Sequence, residues 1–120
     1  MSTETVAHRL VELCRQGKFD VAQNELFADS ARSIEMEGVP NAEAVGMDAI
    51  RQKGRDFDAT LTQVHTVTVS EPVVADGFFS IVMGLDATYK EGGRRSMTEI
   101  CVYEVANDKI VREQFFYRPN

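Results

Sequence analysis

In the run 96–105 (SMTEICVYEV), alternate residues share a side once the chain is extended, which puts Glu99 in line with Met97, Cys101, Tyr103 and Val105. A carboxyl among apolar neighbours loses the water that favours its charge. Its pKa then rises toward neutrality, where it can work as a general acid or base. Tyr103 on the same side could donate a hydrogen bond to a carbonyl or enolate oxygen as charge builds there. The same residues also have a plain structural use: Glu99 paired with an arginine across a sheet, Tyr103 packing its ring.

A second polar group lies in the run 110–117 (IVREQFFY). Gln114 alternates with Ile110, Arg112 and Phe116, and Glu113 with Val111, Phe115 and Tyr117. Pairing with the preceding strand would bring Gln114 or Glu113 close to Glu99 or Tyr103, although the register is open. Gln114 therefore joins Glu99 and Tyr103 as a candidate for catalysis, and Glu113 and Tyr117 as candidates for ligand contact; an arginine–Glu113 pair is the scaffold alternative. Asp86 follows Gly84 on one side of a strand, where a missing side chain could leave room for a ligand. His65 alternates with Val67 and Val69 and could hold a proton near neutral pH. Phe57, Met83 and Met97 would form apolar walls, with ordinary core packing as the alternative.

Other chemistries find little footing. Two distant histidines, no CxxC and no HExxH give no metal-ligand pattern. No GxSxG or dinucleotide fingerprint occurs, and Gly92-Gly93-Arg94-Arg95 lacks the lysine and following helix of a phosphate loop. No cofactor is implied. A net charge of -6 and a pI near 4.9 oppose binding to nucleic acid. Cys14 and Cys101 fall among apolar residues and are expected as buried thiols. No leader pattern and no apolar run of about 20 residues is seen, so no membrane association and a cytoplasmic location are expected.

These residues need elements to hold them. Ser2 or Thr3 caps a helix with Val6, Leu10, Leu13 and Cys14 on one stripe, stopped at Gly17. Phe19, Ala22, Leu26 and Phe27 suggest a second, shorter helix, and ARSIEME a short strand about Ile34. GVPNAEAVG reads as loop, and residues 47–57 as a third helix. From Leu61 the period falls to two. Asp76-Gly77, Glu91-Gly92-Gly93 and Asn107-Asp108 mark turns between four strands, hence three successive hairpins. Apolar residues on both sides of one strand, Phe79 and Ile81 against Phe78 and Val82, predict a sheet buried on two faces. The helices would cover one, and a second copy the other, as a homodimer through the sheet.

The stretches TEICVYEV (98–105) and NDKIVREQFFY (107–117) resemble the SnoaL-like branch of the NTF2-like superfamily. The resemblance implies an α+β cone, with N-terminal helices packed on a strongly bent antiparallel sheet around a pocket, formed by residues 1–120 as a single domain. That superfamily holds polyketide cyclases, a ketosteroid isomerase, dehydratases and an epoxide hydrolase, besides members that only bind or dimerise. Its enzymes use one or a few pocket acids aided by Tyr, His or Asn, which directs attention to Glu35, Asp86 and Glu99; the lack of histidine in the last strands argues against a His-assisted step. Two functions stay open. One is a binding or dimerisation module for a small apolar molecule. The other is a cofactor-independent enzyme, resembling a cyclase, isomerase or dehydratase, that moves a proton on a small apolar carbonyl compound.

Overall fold

The computed structural model describes residues 2–40 and 42–118. Two helices, α1 (Thr3–Arg15) and α2 (Phe19–Leu26), lead into strand β1 (Phe27–Ile34). A short β2 (Glu43–Val45) precedes α3 (Met47–Asp58). Then come β3 (Leu61–Val69), β4 (Val73–Ala75), β5 (Phe78–Tyr89), β6 (Gly93–Ala106) and β7 (Lys109–Phe116).

The Ser2 hydroxyl accepts a bond from the Thr5 backbone at 3.1 Å and caps α1. Gly17, at φ 72°, lets the chain leave the helix in a conformation that side chains resist. Phe27 opens β1 rather than closing α2: its backbone is extended and it sits opposite Ile110 in the sheet. The expected loop at 38–46 contains the short strand β2, which pairs with β1 from Arg32↔Val45 to Ile34↔Glu43; Asn41 lies outside the described residues.

The strands form one sheet in the order β2-β1-β7-β6-β5-β3, with β4 also beside β5. The hairpins β4–β5, β5–β6 and β6–β7 are antiparallel. Asn107 and Asp108 turn the last hairpin with φ of 52° and 64°, the geometry their short polar side chains tolerate. One pairing breaks the meander: β1 runs parallel to β7, with Ser33 opposite Glu113. Local turn signals carry no trace of a contact between such distant segments.

The result is the α+β cone: three helices, among the described residues, on a strongly curved, unclosed sheet. Val6, Ala7, Leu10, Val11, Leu13 and Cys14 bury the inner stripe of α1 against β3, β4 and β5, while α3 packs on β1 and β2. Phe79, Ile81, Cys101 and Ile110 complete the core below them. Phe79 and Tyr103 stack with ring centroids 4.8 Å apart. This face of the sheet is the concave, helix-covered one.

Candidate functional site

On the concave face one stretch, the hollow, is only half-buried. On β5, Phe79 and Ile81 are buried, Met83 and Leu85 half-buried, and Ala87 and Tyr89 buried again. Across the hairpin, Met83 faces Glu99 and Leu85 faces Met97, both likewise half-buried. This half-exposed stretch lies between the buried core residues and the pair Phe57–Tyr89, whose rings meet edge-on, 6.4 Å between centroids. Two surface depressions, of about 570 and 360 Å³, lie elsewhere, on the outer side of α1 and at the start of α3. They gather no buried acid, and their volume alone makes neither a site.

Polar groups converge at the inner side of this hollow. The Lys53 ammonium reaches in from α3 and donates to Ser33 Oγ at 2.8 Å. It also pairs with Glu35 Oε1 at 2.8 Å, the two side chains being 23% and 16% exposed. Tyr117 donates its hydroxyl to Glu35 Oε2 at 2.8 Å. Lys53 also stands 5.0 Å above the centre of the Phe115 ring, a cation–π contact that helps hold it. Ser33 in turn lies opposite Glu113 in the sheet, and its hydroxyl favours the charged form of that carboxyl. Ser33, Glu113 and Tyr103 thus form one row across β1, β7 and β6. Glu99 lies just past the last registered β6–β7 pair, Ile100↔Phe116, beside Tyr117.

Charge counting explains the titration. Three carboxyls, Glu35, Glu99 and Glu113, share one ammonium. Glu35 takes it in a direct ion pair, so the other two keep protons more readily. Glu99 is pushed up to about 7, first by burial and then by the Glu35 charge, with Cys101 and Lys53 opposing. Glu113 rises to about 7 mainly through burial, with Ser33 and Lys53 opposing. The Tyr117 hydroxyl is also held protonated, by burial and by its bond to Glu35. Of the two neutral-range carboxyls, Glu99 reaches the hollow and Glu113, 7% exposed, does not.

The candidates separate by face. Glu99, Glu113, Tyr117, Met83 and Met97 come together on the concave side, and Phe57 stands at its rim. Tyr103 shares that side but is fully buried under Phe79, too deep to meet a ligand. Gln114 is on the opposite, convex face, where its Oε1 accepts from Arg112 Nη2 at 2.8 Å. Asp86 is also on the convex face, held by Arg94 Nε at 3.1 Å and Nη2 at 2.9 Å. That guanidinium keeps its carboxyl below the usual range. The room expected beside Gly84 is filled by the Thr68 hydroxyl from β3. His65 sits at a register shift in β3, and its Nε2 meets Thr88 Oγ1 at 2.7 Å on that same convex side. Lys53 and Ser33 went unnoticed in the sequence. A charged residue one turn from buried Ile50 was the available signal for Lys53; Ser33 becomes visible only through the parallel β1–β7 pairing.

A family model described as a SnoaL-like domain matches residues 1–117. A Mesorhizobium loti structure, provisionally titled a SnoaL-like polyketide cyclase (carbohydrate phosphatase), is 33% identical, with a TM-score of 0.92 over 98% of this chain and 100% of that one. An NTF2-like protein of Burkholderia thailandensis is 18% identical, with a TM-score of 0.82 over 98% and 92% of the two chains. AclR of Streptomyces galilaeus, provisionally titled a hydroxylase, is 9% identical, with a TM-score of 0.72 over 97% and 88%. The last two share the fold alone. Among curated proteins none matches.

Proposed function

This chain belongs to the SnoaL-like domain family, and we propose that it binds a small, mostly apolar carbonyl compound in the hollow and moves a proton on it without a cofactor. One observation carries the reading: Glu99 is a half-buried carboxyl held near pH 7 at the wall of an apolar hollow, beside the Lys53–Glu35–Tyr117 network. A base with a pKa near the working pH combines a useful ionised fraction with a real affinity for the proton. The Glu99 carboxylate takes a proton from the carbon next to the carbonyl. The C–H electron pair becomes the enolate double bond, and the carbonyl π pair moves onto oxygen. Lys53 has three N–H donors and spends two on Ser33 and Glu35, which leaves one for that oxygen. Glu99 then returns its proton to the same or a conjugated carbon.

The probe is 2-acetylnaphthalene in deuterated buffer, with loss of its methyl hydrogens followed by NMR. The protein is expected to speed exchange with an inflection near pH 7, and Glu99→Gln to slow it about 100-fold or more. Equal rates for protein and variant would overturn the assignment of Glu99.

We also propose that the convex face pairs with a second copy. Val82, Ile100 and Phe116 are neighbours in register across β5, β6 and β7, 43%, 49% and 42% exposed. Three adjacent apolar side chains in a row on an open sheet are a surface that association would cover. The two free, buried cysteines fit the reducing cytoplasm as its compartment.

A further inference from the structure

We infer that Arg95 is a specificity-determining residue that anchors an anionic group on the ligand, so that the substrate class is an apolar carbonyl compound bearing a carboxylate. This rests on the acid–base reading of Glu99 for the reaction, but not for the binding. Arg94 and Arg95 are successive residues of β6 and point to opposite faces. On the convex side the Arg94 fork is taken by Asp86. On the concave side Arg95 lies with its guanidinium 4.0 Å from the centre of the Tyr89 ring. Among the described residues it makes no side-chain hydrogen bond and no ion pair, whereas Arg9, Arg15, Arg32, Arg51, Arg55 and Arg112 each donate to an acceptor.

The platform beneath Arg95 is firm. Tyr89 is buried, edge-on to Phe57, and its hydroxyl donates to Met97 Sδ at 3.7 Å. A guanidinium stacked on a fixed ring has lost much of its freedom while its in-plane N–H groups stay unspent. That arrangement suits a planar carboxylate, which two parallel N–H groups can hold. Arg95 and Glu99 are four residues apart on one side of β6, about 13 Å between Cα atoms at the usual rise of a strand. Met97 stands between them. A ligand with a carboxylate at one end and an acidic C–H at the other, spaced by a body of about two fused rings, spans that interval.

The test compares 6-acetyl-2-naphthoate with 2-acetylnaphthalene, binding measured by calorimetry and proton exchange by NMR. The protein is expected to bind the carboxylate about tenfold more tightly, a preference that shrinks with salt. Arg95→Gln abolishes the preference and leaves affinity for the neutral ketone unchanged. Glu99→Gln keeps the preference and loses the exchange. Equal affinity for both compounds, or a preference that survives in Arg95→Gln, overturns the anchor while leaving Glu99 intact as the base. Exchange that persists in Glu99→Gln, with the carboxylate preference present, overturns the acid–base reading and supports the anchor. Binding of neither compound removes both.

Discussion

Replacing Glu113 by glutamine should flatten the dependence of stability on pH. In the folded chain this carboxyl titrates at about 7, against 4.5 as its ordinary value, because it is buried beside Ser33 with only part of the Lys53 charge to balance it. The folded-state pKa is the raised one. The folded chain therefore binds the proton more strongly than the unfolded chain, and the stabilisation is complete below about pH 4.5. It is lost as pH rises through 7. Between pH 5 and pH 8 the two titration curves give a loss of about 2–3 kcal/mol, or roughly 10 °C in melting temperature for a chain of this size. In Glu113→Gln the amide would mimic the neutral carboxyl at every pH and still accept the Ser33 hydroxyl. The substitution also removes one of the charges that raise the Glu99 pKa, which changes the slope in the same direction. Urea unfolding followed by circular dichroism at pH 5, 6, 7 and 8 is the assay. The unsubstituted protein should lose stability across that range, and the variant should lose about 2–3 kcal/mol less. Equal slopes in the two proteins, or stability that climbs with pH, would refute the claim that Glu113 is buried as a neutral acid.

Two further outcomes follow from the same geometry. Lys53→Met strands Glu35 beside two other acids and should cost about 3 kcal/mol at pH 8. The cost should be smaller at pH 5, where the carboxyls take up protons; urea midpoints at the two pH values decide it. Ile100→Glu puts a charge in the middle of the Val82–Ile100–Phe116 row. If that face joins two copies, light scattering should give about twice the 13.4 kDa chain mass for the unsubstituted protein and the single mass for the variant. The single mass for both removes the pairing.

How far the sequence could be read depended on how local the signal was. The stripe on α1, the turn at Asn107-Asp108 and the alternation through Glu99 rest on neighbours a few residues apart, and the helices and long hairpins were legible from them. Alternation also told which residues share a strand side. It could not tell which side the helices cover, because both carry apolar residues, and so Asp86 and His65 could not be told apart from Glu99. Gln114 shows a second limit. Val105 pairs with Ile110 and Glu104 with Arg112, so Val111 is an extra residue in β7. Ile110 and Glu113 are thus both buried, although they are three residues apart. A strict period of two, counted from Ile110, puts Gln114 inside; the bulge puts Glu113 there instead. Ser33 lies beyond any local pattern, since it comes from the parallel partner of β7, and for Lys53 the spacing from Ile50 marks the helix face but not the acids it meets.

That parallel partnership constrains how the molecule is made. Ser33 and Glu113 are 80 positions apart yet sit side by side. During synthesis the first strand waits, its hydrogen-bonding edge open, until the ribosome has released residues beyond Glu113. Contacts between such remote segments slow folding, because a long loop must close before any of them forms. The Ser33–Glu113–Tyr103 row cannot form before β7 is made, and a nascent chain halted before β7 carries Glu35, Lys53 and Glu99 but lacks Glu113 and Tyr117.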